Sequence, residues 1–212
     1  MSKQLFLTLF VALHTFCVHS QDVFTAEHLP DSVLTRMRGV SLPEGADIDV
    51  ADLRYLRLTY VDYDGRECVG EMVCHCSIAA DLLAVFRELH EARYPIASIC
   101  LIDDFGADDE RSMRANNTSC FCYRKVAGSS KLSKHSQGLA VDLNPLQNPC
   151  VRRRSDGTTS IEPATATPYV DRSKKFPHRI TRSDLAYRLF VKHGFRWGGA
   201  WRSVKDYQHF EK

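Results

Sequence analysis

After its first twenty residues, the sequence lacks an apolar run long enough to cross a membrane, and its charges almost cancel. A spanning helix needs about 20 apolar residues, which excludes an internal anchor. The chain has 28 lysines and arginines against 26 aspartates and glutamates, a formal net charge of +2. Because phosphate binding relies on a large basic surface, this balance argues against nucleic acid as the main partner. One local basic run, residues 152–154, is expected to be a solvated loop.

The first twenty residues have the pattern of a secretory signal peptide. Lys3 gives a positive start, and an apolar stretch then runs to Val18. Val18 and Ser20 are small enough to precede a cleavage site before Gln21. We therefore predict a secreted protein, periplasmic or extracellular, without stable membrane insertion. Removal of residues 1–20 takes away one lysine and no acid, so the net charge falls from +2 to +1.

Cysteine, by contrast, is abundant. Eight are present, and seven remain once Cys17 leaves with the signal peptide. In an exported chain disulfides are the expected state, and an odd number leaves at least one thiol free or paired with another molecule. The segment Cys74-His75-Cys76 could instead bind zinc. Its one-residue spacing is shorter than the usual two to four, however, so disulfides are favoured.

The length suits one domain, preceded by an N-terminal extension. Composition is ordinary for a globular protein, with 44% hydrophobic and 25% charged residues. We place the extension at residues 21–50, packed on a main domain at residues 51–212. Periodicity and turn residues predict the elements of that domain. Helices are predicted at 78–92 and 183–193, strands at 52–62, 96–102, 138–144 and in the tail 195–212, and irregular chain at 103–119 and 145–180.

The segment from Ser133 to Asp142 places chemically active side chains around a short strand. Alternate residues of a strand share a face, so Asp142 points with Ala140 while Val141 points into the core. The small Ala140 leaves space beside the carboxylate. His135 lies on the turn before the strand and can fold back over the same face.

The C-terminal tail offers a second carboxylate and a second imidazole, Asp206 and His209. Two histidines and one carboxylate form a sufficient set of protein ligands for catalytic zinc, with a further position open for water. A carboxylate that does not bind the metal can accept a proton from that water. The required residue types are therefore present in two distant stretches of chain.

These two stretches together resemble a known family. The pattern Ser-x-His-x-x-Gly-x-Ala-x-Asp, followed by acid-x-x-His, is similar to the zinc D-Ala-D-Ala carboxypeptidases and L-alanyl-D-glutamate endopeptidases of bacterial cell-wall metabolism. That family includes vancomycin-resistance dipeptidases and phage endolysins. One endopeptidase-like branch ends in Trp-Gly-Gly and Asp-Tyr-Gln-His-Phe-Glu, as residues 197–199 and 206–211 do here. Further similar segments extend the resemblance over most of residues 50–212: Asp103-Asp104, Ser112-Met113, 116–119, Asn144-Pro145, Asn148-Pro149 and Asp171-Arg172.

The resemblance implies a role for each site residue. His135, Asp142 and His209 would hold one Zn²⁺ per chain, and Asp206 would act as the general base. Arg124 would hold the substrate carbonyl and stabilise the oxyanion. Arg111 and Arg114 lie close in sequence and are alternatives for that last role. Ser133 and Trp201 would contact substrate in the cleft.

The resemblance also implies a fold and a substrate. The expected fold is α+β, of the hedgehog/DD-peptidase type, with a small, mostly antiparallel sheet and packed helices. The expected substrates are the stem peptides of peptidoglycan, cleaved by a monomer. A catalytically silent zinc-containing binding module of hedgehog-like fold is the alternative, and the presence of Asp206 argues against it. A disulfide-rich structural protein without metal is a third possibility.

Overall fold

The computed structural model describes residues 22–126, 129–154 and 156–212. The predicted signal peptide lies outside the described residues. Within them, no helix is long and apolar enough to cross a membrane. The helices are α1 (Asp31–Met37), α2 (Cys76–Glu91), α3 (Asp109–Arg114) and α4 (Leu185–Lys192). The strands are β1 (Phe24–Glu27), β2 (Leu53–Val61), β3 (Glu67–His75), β4 (Ser98–Ile99), β5 (Asn117–Thr118), β6 (Ala140–Asp142), β7 (Cys150–Arg153), β8 (Thr159–Glu162), β9 (Arg196–Trp197), β10 (Val204–Asp206) and β11 (His209–Glu211).

The α+β prediction is confirmed, with the strands divided among several small sheets. Three antiparallel sheets have the strand orders β1-β2-β3, β10-β7-β8 and β6-β11-β9. The short strands β4 and β5 form a parallel pair. Helix α2 packs on the first sheet and α4 packs on α2, so that one apolar core joins the helices to the strands of the second half of the chain.

The predicted strand at 52–62 and helix at 78–92 correspond to β2 and α2. The apolar face of α2, which includes Leu82, Phe86 and Leu89, is fully buried in the main core. Residues 22–50 contribute β1, which pairs with β2, and α1, which packs in a second apolar cluster with Leu53 and Tyr55. The domain boundaries proposed above stay predictions.

Three segments differ from the sequence-based expectation. The strand expected at 96–102 is limited to β4. Beyond it, the side chain of Asn117 accepts a hydrogen bond from the backbone N–H of Cys100 and donates one to its carbonyl oxygen, so these two groups do not pair with the backbone of β5. The loop expected at 103–119 contains α3, whose N-terminus is capped by Asp108. The irregular stretch at 145–180 contains the β7–β8 hairpin, so most of the basic run at 152–154 lies on a strand. Strand β3 was not predicted.

The predicted disulfides are absent: all seven cysteines of the described residues are free thiols. Strand register explains part of this. Cys68 lies opposite Tyr60 and Cys74 opposite Arg54 in the β2–β3 ladder. Cys150 lies between Asp206 of β10 and Glu162 of β8. None of these three thiols has a cysteine as its cross-strand neighbour.

Candidate metal centre

The structure brings His135, Asp142 and His209 together in the interior, each at most 6% exposed. The Nε2 atom of His135 lies 3.2 Å from Nδ1 of His209 and 3.3 Å from Oδ2 of Asp142. Nδ1 of His209 lies 3.1 Å from Oδ1 of Asp142. A tetrahedral zinc with bonds of about 2.0–2.1 Å keeps its ligand atoms roughly 3.3 Å apart. The donor atoms therefore have the type and the spacing that fit a zinc ion.

Two strands and one turn position these side chains. In the β6–β11 pair, Asp142 and His209 are direct cross-strand partners, so both project from the same face. Val141 points to the opposite face and is fully buried in the core. His135 lies in a 3₁₀ turn at Lys134–Gln137, where Oγ of Ser133 accepts a hydrogen bond from the His135 backbone N–H (3.3 Å).

Each histidine is also held through its second ring nitrogen. Nδ1 of His135 lies 2.6 Å from the carbonyl oxygen of Cys120, which can accept its proton. Nε2 of His209 lies 3.3 Å from Oε2 of Glu211. Such outer contacts fix the orientation and tautomer of metal-binding histidines. They leave Nε2 of His135 and Nδ1 of His209 facing each other and Asp142.

The site concentrates opposite charges in a buried space. Burial acts to raise the pKa of Asp142, but His135 and His209 outweigh it and hold that pKa below its usual value. For His209, burial lowers the pKa, whereas bonds to Asp142 and Glu211 raise it, with a net value of about 10. A divalent cation that binds beside the ionised Asp142 would displace the proton of His209, because a metal-binding histidine must be neutral.

Asp206 lies on β10 and lines the same cavity as the three residues above. Its Oδ1 atom is buried and has no hydrogen-bond partner among the described residues. Burial raises the pKa of Asp206 to about 6, with His209 opposing this effect and Asp142 adding to it. The carboxyl is thus free to interact with a group that enters the cavity.

Arg124 also lines the cavity, in an ion pair with Asp109 of α3. Its Nη2 lies 2.8 Å from Oδ2 of Asp109, and each side chain is 27% exposed. The Nε atom is buried without a partner in the described part of the chain. Of the alternatives, Arg114 pairs with Glu110 on the surface, and neither Arg111 nor Arg114 lines the cavity.

Ser133 and Trp201, the two predicted substrate-binding residues, both line this cavity of about 430 Å³. Ser133 caps the turn that carries His135. The ring of Trp201 lies 5.2 Å from the ring of His209, in a tilted contact. The structure thus brings all seven predicted site residues to one cavity, and their roles stay predictions.

The Trp-Gly-Gly segment allows the chain to approach the site closely. A Cβ atom on Gly198 would lie 2.8 Å from the backbone oxygen of Asp206 and 3.2 Å from Cβ of His209. On Gly199 it would lie 2.3 Å from the indole of Trp197. That indole donates a hydrogen bond to the carbonyl oxygen of Tyr207 (2.9 Å). Gly198 therefore allows the chain to approach Asp206 and His209, and Gly199 leaves space for the Trp197 indole.

The segment around His75 is a weaker candidate for metal binding. Asp52, His75 and Cys76 could approach one ion, but Asp52 is exposed. Nδ1 of His75 already accepts the backbone N–H of Ser77 (3.1 Å) and so caps α2. The histidine thus has a structural partner that accounts for its position.

Two residues near the site, Glu211 and Asp109, were not identified from the sequence. Glu211 could have been predicted to lie beside His209, because residues 209 and 211 of one strand share a face. Asp109 could not, since nothing in its own segment indicates contact with Arg124. Cys150, the cross-strand partner of Asp206, lines the cavity as a free thiol.

Comparison with known proteins gives one match. Residues 127–212 match a family model described as D-alanyl-D-alanine carboxypeptidase. This stretch covers less than half of the chain and contains His135, Asp142, Asp206 and His209, but not Arg124. Neither the curated proteins nor the solved structures gave a match. The match supports the resemblance noted from the sequence and indicates a peptidase.

Proposed function

We propose that the chain is a zinc metallopeptidase that hydrolyses peptide bonds in the stem peptides of peptidoglycan. The bond would be of the L-Ala-D-Glu endopeptidase or D-Ala-D-Ala carboxypeptidase type. One observation carries this proposal: two imidazole nitrogens and a carboxylate, within the stretch that matches the peptidase family, converge at 3.1–3.3 Å. We further propose that the protein acts as a secreted monomer.

His135, Asp142 and His209 would hold the zinc. Bound there, the ion would supply Lewis-acid chemistry, which acidifies water and polarises a carbonyl group. Asp206 would accept the proton of the attacking water and pass it to the leaving amine, because its Oδ1 has no competing partner.

Arg124 would stabilise the negative charge that develops on the carbonyl oxygen. Its unpartnered Nε–H can donate to that oxygen, while Asp109 holds the other end of the guanidinium. A donor fixed in advance toward the developing charge is the main requirement for such stabilisation. The alternative of a silent binding module is not favoured, because it explains neither the position of Asp206 in the cavity nor the match to the peptidase family.

The test is cleavage of purified peptidoglycan by the purified chain, with and without zinc. Mass spectrometry of the released muropeptides would identify the bond that is cut. Asp206→Ala should abolish cleavage while the protein still binds one zinc. Asp47→Ala, at an exposed position of the N-terminal extension, is the matched control and should keep activity. Normal cleavage by the Asp206→Ala protein would refute the assigned base, and absence of bound zinc in the wild type would refute the metal site.

A further inference from the structure

The sheet β10-β7-β8 has two different faces. Cys150, Arg152, Val204 and Asp206 line the cavity of the candidate metal centre. In register with them, Val151 lies opposite Lys205 on the β7–β10 pair. Since successive strand residues point to opposite faces, Val151, Lys205 and Arg153 belong to the outer face. The sheet therefore separates the cavity from a second surface.

That outer face forms a groove of about 450 Å³ that is rich in positive charge. Three of its lining residues are basic: Arg153 and Arg202, both exposed, and the half-buried Lys205. Val151, Val170, Ser203 and Tyr207 complete the lining. We call these seven residues the outer groove. It contains no acidic residue, although the whole chain is close to neutral.

The basic residues of the outer groove lack acidic partners. Within the described residues, Arg153, Arg202 and Lys205 take part in no ion pair. Lys205 donates one hydrogen bond to the backbone oxygen of Trp201, which leaves two of its three protons available.

The acids near the outer groove in sequence are engaged elsewhere. Asp206, which directly follows Lys205, lines the cavity on the other face of the sheet. Glu162 is on the cavity face of the sheet. Asp156 accepts hydrogen bonds from Thr158 within the β7–β8 turn. Asp171 accepts from Ser173 in the turn after Val170. The positive charge of the outer groove therefore has no acidic group in its lining to balance it.

One further arginine, Arg172, contacts the outer groove, and Arg179 lies next to it. The guanidinium of Arg172 lies over the ring of Tyr207, 4.3 Å from its centroid. Burial, opposed by Tyr207 and aided by the nearby charge of Arg179, lowers the pKa of Arg172 to about 10. Both arginines donate hydrogen bonds to backbone carbonyls instead of carboxylates. Positive charges that lie close together without carboxylate partners favour the binding of an anion from solution.

We propose that the outer groove binds phosphate groups of an extended polyanion, independently of the metal centre. Arginine forks match phosphate oxygens in a bidentate manner, and lysine binds them as a point charge. A single-stranded nucleic acid is a poorer fit, because stacking of bases needs open aromatic faces. Tyr207 is the only aromatic residue of the groove lining, and Arg172 covers one face of its ring.

Binding of linear polyphosphate to the purified chain, measured by titration calorimetry at several salt concentrations, tests this proposal. The triple variant Arg153→Gln, Arg202→Gln, Lys205→Gln should bind at least tenfold more weakly than wild type. Its plot of log affinity against log salt should also become shallower, since fewer counterions are released. A matched control removes three other exposed arginines and the same charge: Arg38→Gln, Arg57→Gln, Arg188→Gln. This control should lose less than threefold.

Equal losses in the two triple variants would overturn the proposal, because they would show a response to net charge alone. Absence of polyphosphate binding by the wild type, tighter binding of single-stranded DNA, or tighter binding of poly-glutamate would also overturn it. If the triple variant fails to fold by circular dichroism, the single variants Arg153→Gln and Arg202→Gln provide the same comparison. None of these measurements needs peptidase activity, so the outcome is separate from that of the proposed function.

Discussion

Replacing Asp109 by asparagine tests whether the Arg124 side chain is held in place for catalysis. The variant keeps the size of the side chain but removes the charge that lies 2.8 Å from Nη2 of Arg124. Breaking a fully buried ion pair costs roughly 3–5 kcal/mol. Because each partner is 27% exposed, we expect a loss of about 2 kcal/mol in the free energy of unfolding. This corresponds to a fall in melting temperature of about 4–8 °C.

The catalytic effect should exceed the effect on stability. Loss of one donor to an oxyanion typically lowers kcat by about 100- to 1,000-fold. The asparagine variant retains Arg124 but leaves it less restrained, so we expect kcat to fall roughly 10- to 100-fold with little change in KM. The assay is steady-state cleavage of isolated muropeptides by zinc-loaded protein, at a temperature where both proteins are folded. Asp109→Glu should recover part of the activity.

Glu110→Gln is the matched control for this prediction. Glu110 is the next residue of α3 and pairs with Arg114 at the same N–O distance, but that pair is more exposed. Exposed pairs contribute about 0–1 kcal/mol, so this variant should resemble wild type in both assays. The reasoning about Arg124 would be wrong if Asp109→Asn reduced kcat no more than Glu110→Gln, or if it raised KM alone.

Three further predictions concern the metal, the close approach of the strands, and acid stability. Zinc at about 1,000 times its dissociation constant should stabilise the wild type by roughly 4 kcal/mol, and calorimetry should show no such gain for His135→Ala or after chelation. Gly198→Ala should cost about 1–3 kcal/mol and weaken zinc binding, because its Cβ would collide with Asp206; unchanged zinc affinity in a titration would contradict this. Lys212 donates a hydrogen bond to Asp81 (2.6 Å) and holds the pKa of Asp81 below its usual value. That stabilisation is present above about pH 4 and is lost at lower pH as the carboxylate is protonated, so in urea titrations Asp81→Asn should lose less stability than wild type between pH 5 and 2.

The sequence predicted those helices and strands whose apolar side chains recur at a regular spacing within one segment. Helix α2 and strand β2 were predictable because their apolar residues follow the helical and strand periods against a single core. The alternation around Val141 likewise predicted which side of the strand Asp142 would occupy. These inferences need only the geometry of one element.

The partner of Arg124 was not predictable, because that contact joins two elements. The ion pair joins α3 to a later segment of irregular chain, and neither segment contains a pattern that specifies the other. The free thiols are a similar case, since the export signal indicated disulfides, whereas the pairing of strands decides which side chains meet. Contacts between elements follow from register and packing, which a single sequence does not state.

Strand register also explains how two distant motifs meet at the metal centre. A shift of one residue in the β6–β11 pairing would turn His209 away from Asp142 and toward the core, where Phe210 now lies. The position of His135, the third candidate ligand, depends on Gly138. The φ of +66° at Gly138 and its close approach to β3 exclude a side chain there. There the backbone N–H of His75 donates to the carbonyl oxygen of Gly138 (2.9 Å) and fixes the turn that carries His135. The histidine that looked like a rival metal ligand in the sequence therefore contributes to the candidate centre through its backbone.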